Sequence, residues 1–255
     1  MPIQYINFNG EIVPEDAKLL TAENRGFRYG DGLFETMLYQ GGEIRFLHLH
    51  VDRLQRSMQT IQLEQSTMFD EYFVKKITDE LIRKNNMVGQ RVRVRLTVFR
   101  DGGGLYTPAT NKPAFILQVQ KMEIQLRDKK VGLIVDLYTE HKKPYSDLSA
   151  IKSNNSLIYV LAGNYRKKFD YDDVFILNQE GFLCEALTSN LFIYYDKVLY
   201  TPALNQGCID GVMRRVVMDM AEEEGIPVVE AQISPEIMKT ADELFCTNAV
   251  QGIQW

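Results

Sequence analysis

The sequence predicts an α+β / α/β protein of two domains, and three observations carry that expectation. Short runs alternate strictly between polar and apolar residues; in residues 91–99, Val92, Val94, Leu96 and Val98 share one face. Between such runs lie helical patterns: Val51, Leu54, Met58 and Ile61 recur at spacings of three and four, as do Phe69, Phe73, Ile77 and Leu81. The second half repeats this mixture without repeating the sequence, and 255 residues suit one large domain or two modest ones.

Taken in order, residues 3–13 form a hairpin around Asn9-Gly10, a dipeptide suited to a tight turn. Residues 33–39 and 43–47 form a second pair around Gly41-Gly42. Helices are expected from His48 to about residue 61 and over 68–83, and strands over 91–99 and 113–119. Helices over a mostly antiparallel sheet give a smaller first domain, 1–120. In 121–255, the larger domain, strands are expected at 131–138, 173–178, 190–195, 226–231 and 243–249, with a short one between the second and third. Helices are expected at 156–168 and 212–224, the latter with its charged residues outward.

Composition narrows the function. Net charge is -5, with cations scattered among acids, so nothing points to nucleic acid. Three separated cysteines, Cys184, Cys208 and Cys246, read as reduced thiols of a cytoplasmic protein. The N-terminus does not read as a signal peptide, and no apolar run approaches the roughly 20 residues needed to span a bilayer. With three histidines, no histidine-rich metal site is expected; His48-Leu-His50 could set two rings on one side of a strand, or cap or fill a core. Gly102-Gly103-Gly104, with neither a lysine nor a helix pattern after it, reads as a flexible substrate loop.

Three places could carry chemistry. In Ser149-Ala-Ile-Lys152-Ser-Asn-Asn-Ser156, a lysine follows an apolar residue and precedes a helix-starting run. Read locally it is a solvated lysine; in a cleft, desolvation would free a nucleophilic amine of the kind Schiff bases need. Glu185, in Cys184-Glu-Ala-Leu-Thr-Ser-Asn190, is an acid among small and apolar residues, so a positive partner is expected. Gly207-Cys-Ile-Asp-Gly211-Val-Met-Arg-Arg215 is a glycine turn feeding a helix, whose free N–H groups would attract an anion.

In their order these pieces resemble the class IV aminotransferases, the fold-type IV pyridoxal-phosphate enzymes of D-amino-acid aminotransferase-like fold. Further matching segments are Arg25-Gly-Phe-Arg-Tyr-Gly-Asp-Gly-Leu-Phe-Glu35, His50-Val-Asp-Arg-Leu54, Leu199-Tyr-Thr-Pro202 and Ala241-Asp-Glu-Leu-Phe245. The resemblance implies pyridoxal 5'-phosphate held between the domains, with Lys152 as Schiff-base lysine and proton shuttle and Glu185 against the pyridine nitrogen. It implies phosphate contacts from Arg53 and the backbone amides of Val212 and Met213, and ring and phosphate contacts from Thr188 and Ser189. On the substrate side it implies Phe34, the Arg100 to Tyr106 loop and Asn248. It also implies a homodimer acting on a small amino-bearing substrate.

Within the family three readings compete. One is 4-amino-4-deoxychorismate lyase, which eliminates pyruvate to leave 4-aminobenzoate. Another is a branched-chain or D-amino-acid transaminase with a 2-oxo acid acceptor. The third is a cofactor-binding protein with little turnover. Cys246-Thr-Asn-Ala-Val250, Tyr200-Thr-Pro202 and the 100–106 loop resemble the lyases; transaminases tend to carry a threonine where Ala249 stands, and Leu157 occupies the place of their tyrosine. Leu105 stands where better-matching lyases have an arginine, and Lys-Ser-x-Asn also resembles D-amino-acid transaminases. The lyase is slightly preferred. Because family members usually continue past the strand that Trp255 follows, a trimmed or disordered tail is expected.

Overall fold

The computed structural model describes residues 3–65, 68–123 and 132–255. Two compact units share the chain: Met1–Gln125 with Lys152–Asn155, and Leu126–Ile151 with Ser156–Trp255. This division differs from a single boundary near residue 120. The short stretch holding Lys152 pairs with a strand of the first unit, so backbone bonding rather than sequence order assigns it.

In the first unit, β1 (Tyr5–Phe8) and β2 (Glu11–Pro14) form a hairpin whose Asn9 and Gly10 both have positive φ, 50° and 95°. That is the backbone such a two-residue turn requires. A short helix α1 (Arg25–Tyr29), capped by the Asn24 side chain, leads into β3 (Gly32–Gln40) and β4 (Glu43–Ile44). Helices α2 (Leu47–Thr60) and α3 (Glu71–Lys84) follow, then β5 (Val92–Arg100) and β6 (Pro113–Lys121). Helix α3 begins later than the apolar pattern suggests because Asp70 accepts a hydrogen bond from Phe73 N–H and fixes the N-terminus.

The six strands form one sheet, ordered β2-β1-β6-β5-β3-β4, with every pair antiparallel. Register separates its faces. Leu33, Glu35 and Met37 lie opposite Val98, Leu96 and Val94, while Phe34 and Thr36 lie opposite Thr97 and Arg95. On the Val94 face the buried core forms against the helices, where Phe69, Phe73 and Phe115 meet edge to face at 5.5–6.3 Å. The other face carries Phe34 and Arg95.

In the second unit the described elements are β7 (Val135–Lys143), α4 (Leu157–Phe169), β8 (Asp173–Asn178), β9 (Leu183–Ala186), β10 (Asn190–Tyr195) and β11 (Val198–Pro202). They continue with α5 (Val212–Glu223), β12 (Val228–Ala231), β13 (Glu243–Asn248) and β14 (Gly252–Gln254). One sheet runs β12-β11-β10-β13-β14 and another β7-β8-β9. Strand β8 is buried at every residue, as expected of a strand covered on both faces. Of the strand expected over 131–138, residue 131 lies outside the described residues and the pairing begins at Val135. Helix α5 departs from the expectation of outward charges: Arg214 is buried, donating to Pro202 O at 3.0 Å and to the Glu230 carboxylate. His48 and His50 sit in α2, not on a strand.

Candidate active site

Lys152 owes its place to glycine. Phe34 N–H donates to Lys152 O at 2.9 Å, Asn154 N–H donates to Gly32 O at 2.9 Å, and Leu33 bridges Ser153. The segment can come this close because Gly32 has no side chain: a Cβ there would lie 2.7 Å from both Asn154 Nδ2 and Val98 O. The half-buried Lys152 amine then sits 4.5 Å from the Phe34 ring centroid, and the Arg95 guanidinium sits 3.9 Å from the same ring. Two cationic side chains sharing one aromatic ring make a position suited to an anionic, planar ligand.

Beneath that face lies a buried cluster. The Arg53 Nε donates to Glu35 Oε1 at 2.8 Å, its Nη2 donates to Oε2, and His50 Nδ1 lies 2.7 Å from Oε2. Burial opposes the Glu35 charge, but the Arg53 and His50 hydrogen bonds and the Arg53 charge prevail and hold its pKa down at about 2. For His50, burial outweighs Glu35 and pushes the pKa below the usual histidine range, with Arg53 and Lys152 adding to the effect. A neutral His50 donates through Nδ1, so its buried Nε2 is an acceptor, with no hydrogen-bond partner among the described residues.

Elsewhere in the first unit lies Arg100, expected on the substrate side. Its side chain is buried and donates to Asp31, Gln62 O, Ile61 O and Asn111, at 2.6–3.1 Å. It anchors the base of the glycine loop. Arg25 completes the tie, bonding Asp31 at 2.8 Å and the carbonyls of Gly104 and Leu105. Tyr106, 90 % exposed, rests against Tyr29 with ring centroids 5.6 Å apart.

In the second unit Glu185, 3 % exposed on β9, finds the positive partner its surroundings demand. That partner is Lys143, the last residue of β7, whose Nζ donates to Glu185 Oε1 at 2.5 Å, Tyr159 OH at 2.8 Å and Gly207 O at 2.6 Å. The Tyr159 hydroxyl in turn donates to the same Oε1 at 2.6 Å, and Ile209 N–H donates to Oε2 at 3.0 Å. Sequence reasoning missed Lys143, which stands in a charged run, and Tyr159, two residues past the exposed Leu157. The need of buried Glu185 for a cation was the available signal.

Helix α5 starts at Gly211, which supplies no side-chain cap, leaving the first-turn N–H groups of Val212 and Met213 for an anion. A Cβ at Gly211 would fall 1.8 Å from Asn190 Oδ1, and Asn190 itself ties Ile209 O at 2.8 Å. Nearby in the sequence, Thr188 is exposed and Ser189 is buried. Ser189 Oγ accepts from Asn248 Nδ2 at 3.0 Å, which leaves the hydroxyl proton free to donate. Asn248 Oδ1 receives the N–H groups of Val250 and Gln251, shaping the turn that contains Ala249.

In the second unit, the uncapped helix start closed to any Cβ suits a phosphate, and the buried carboxylate with acceptor capacity left suits a protonated ring nitrogen; in the first unit, an amine lies over an aromatic ring; each fits a part of pyridoxal phosphate. Known proteins agree. Residues 32–254 match the amino-transferase class IV family. A Methanocaldococcus jannaschii protein that carries the name of a branched-chain-amino-acid aminotransferase is 32 % identical over 97 % of this chain and 85 % of its own. The aminodeoxychorismate lyase of Bacillus subtilis is 28 % identical over 97 % and 84 %, and D-alanine aminotransferase of Staphylococcus epidermidis 27 % over 94 % and 83 %. Among solved structures, the branched-chain aminotransferase of Thermoproteus uzoniensis superposes with a TM-score of 0.87 at 24 % identity, covering 99 % of this chain and 86 % of that one; it shows the fold. The 4-amino-4-deoxychorismate lyase of Pseudomonas aeruginosa gives 0.82 at 26 %, covering 98 % and 89 %. The chain is an enzyme of fold type IV and belongs to the class IV aminotransferase family, whose members use pyridoxal phosphate.

Proposed function

We propose that this enzyme is a 4-amino-4-deoxychorismate lyase, working as a cytoplasmic homodimer, with Lys152 as the base and Glu185 as the partner of the cofactor's pyridine nitrogen. The observation that carries the lyase over the transaminase is the end of β13. There Asn248 occupies the turn with its own amide and clasps Ser189, and Ala249 brings no hydroxyl to the position where transaminases tend to have a threonine. The first-turn amides of α5, the Ser189 hydroxyl, Thr188 and Arg53 would hold the phosphate.

When bound, pyridoxal phosphate supplies a carbonyl for the substrate amine and a ring that takes up charge from the deprotonated carbon. The chain's residues do the rest. Lys152 Nζ accepts the proton from the amine-bearing carbon, and the Phe34 ring beneath it limits where that amine can lie. Glu185 holds the proton on the ring nitrogen. Arg95, over the same Phe34 ring, is the first-unit cation suited to a substrate carboxylate, the role that buried Arg100 does not fill.

A second reading, the transaminase, is favoured by one observation: Leu105 stands where better-matching lyases have an arginine. Incubation with aminodeoxychorismate decides the branch. Equal amounts of pyruvate and 4-aminobenzoate support the lyase; amino transfer that depends on added 2-oxo acid, without 4-aminobenzoate, overturns it. Lys152→Ala should abolish turnover and prevent borohydride from fixing the cofactor to the chain; a variant that keeps both removes Lys152 from its role.

A further inference from the structure

Buried ion pairs in the second unit do not all serve packing alone. The Lys143 ammonium has three donors and spends each on an acceptor: a carboxylate, a phenol and a backbone carbonyl. The phenol passes a hydrogen bond on to the same carboxylate oxygen, closing a triangle of Lys143, Tyr159 and Glu185. Glu185 Oε1 therefore accepts twice and Oε2 once, from Ile209 N–H, so the remaining acceptor direction of the carboxylate belongs to Oε2.

We propose that Lys143 and Tyr159 are positioning residues that pin Glu185 through Oε1, present Oε2 to the cofactor's pyridine nitrogen, and weaken the grip of Glu185 on that nitrogen's proton. This rests on the reading above that Glu185 meets the nitrogen. The geometry dictates the sign. A carboxylate alone stabilises a neighbouring pyridinium, whereas a carboxylate already neutralised 2.5 Å away by an ammonium stabilises it less. Replacing the ammonium with a neutral group must then raise the pH at which the ring nitrogen gives up its proton. All three members of the triangle are polar and hydrogen-bonded to one another, which is why an uncompensated charge there would be felt in full.

The other titratable groups around the pair leave this field to Lys143. Burial opposes the Lys143 charge, but the Glu185 charge and hydrogen bond prevail and raise its pKa, so it is cationic at neutral pH. Burial first, then the Glu185 charge and hydrogen bond, raises Tyr159, which stays a neutral phenol. Burial and the Glu185 charge push the Cys208 thiol up to about 12 and Cys184 higher still, so both remain uncharged.

The test uses holoenzyme loaded with cofactor labelled with 15N at the ring nitrogen, followed by its NMR shift against pH. In Lys143→Gln and Lys143→Met the midpoint should rise by about one pH unit or more, a tenfold or greater change in proton affinity. Lys143→Arg should restore the wild-type midpoint, and Tyr159→Phe should raise it by less than half as much. An unchanged midpoint in a folded, loaded Lys143→Gln overturns the proposal, as does a folded Lys143→Gln that no longer takes up the cofactor. Glu185→Gln separates the two readings. If the nitrogen shift ignores Glu185→Gln, the assignment of Glu185 to the nitrogen fails first; if it responds to Glu185→Gln but not to Lys143→Gln, only the tuning role fails.

Discussion

Two buried carboxylates, Glu35 in the first unit and Glu185 in the second, each accept hydrogen bonds from several groups among the described residues and yet are held in different ways. Arg53 grips both oxygens of Glu35 at once, and His50 adds to one of them. Such a fork fixes the carboxylate plane, and its arginine cannot give up its charge. Glu185 is held by a lysine, a phenol and a single amide, with the two side-chain donors gathered on one oxygen. Lysine is a point charge that can lose its proton when its partner disappears. The contrast teaches that a carboxylate's role is read from who holds it, since both are buried and both are hydrogen-bonded.

The largest expected effect breaks the comparison directly. Glu35→Gln leaves a buried guanidinium without its counter-charge, and stability should fall by about 3–5 kcal/mol, the usual cost of removing one partner of a buried pair. Glu185→Gln should cost the apoprotein less than half of that, because Lys143 can shed its proton. Urea unfolding of the two apoproteins measures both. In turnover the order reverses: Glu185→Gln should lose about 10²-fold or more, a magnitude usual for preorganised electrostatic partners at a reacting centre. Equal stability losses in the two variants would remove the distinction between a carboxylate forked by arginine and one held by lysine.

Acid sharpens the same contrast. The Glu35 pKa is held down at about 2 against an ordinary 4.5, so its contribution to stability is complete above about 4.5 and disappears as pH falls through about 2. That shift corresponds to roughly 3 kcal/mol. His50 acts with the same sign, since its lowered pKa means that the unfolded chain takes up a proton first as pH drops below the ordinary 6.5. Stability of the wild type should therefore decline below about pH 6.5 and more steeply below 4.5, and Glu35→Gln should flatten the lower part. Chemical denaturation at fixed pH values gives the curve.

How much of this was legible beforehand differs between fold and site. Strands 173–178 and 190–195 fall where their apolar runs end, because runs bounded by Gly, Asp and Asn leave little choice of boundary. Lys152 and Glu185 were singled out through the order of their flanking motifs. Lys143 and Tyr159 were not. They lie 42 and 26 residues from Glu185 and meet it only because β7, α4 and β9 converge, while locally they look like a charged surface run and a helix aromatic. The partners of Arg100 were hidden for a similar reason: its acceptors, Asp31 and the carbonyls of Ile61 and Gln62, come from distant turns. Charge in a sequence shows that a partner is needed; only the fold shows which partner arrives.

A glycine pair extends the argument to the backbone. Gly211→Ala drives a Cβ to within 1.8 Å of Asn190 Oδ1, so the start of α5 must shift, with about 1–3 kcal/mol of stability and at least tenfold of cofactor affinity lost. Gly103→Ala meets nothing within 4 Å and has no positive φ, so stability should stay within about 0.5 kcal/mol. Cofactor titration by fluorescence, beside thermal unfolding, separates these outcomes; an unaffected Gly211→Ala would deny the α5 terminus its part in binding.

The smallest expected effect isolates His50 from Arg53 at Glu35. His50 reaches Glu35 through Nδ1, and its Nε2 has no partner among the described residues, so an amide that keeps one N–H toward Glu35 replaces what the ring provides. His50→Gln should therefore cost no more than about 1 kcal/mol at pH 7, the scale of one imperfectly replaced hydrogen bond. Its effect on the acid limb has a definite sign. With no imidazole to charge, the decline that begins near pH 6.5 should vanish, while the decline below about 4.5 that belongs to Glu35 stays. The variant would then be the more acid-resistant protein near pH 5, despite being no more stable at pH 7. A variant that loses several kcal/mol at pH 7 would mean that His50 and Arg53 hold Glu35 as one unit, and the buried cluster would have three members instead of two.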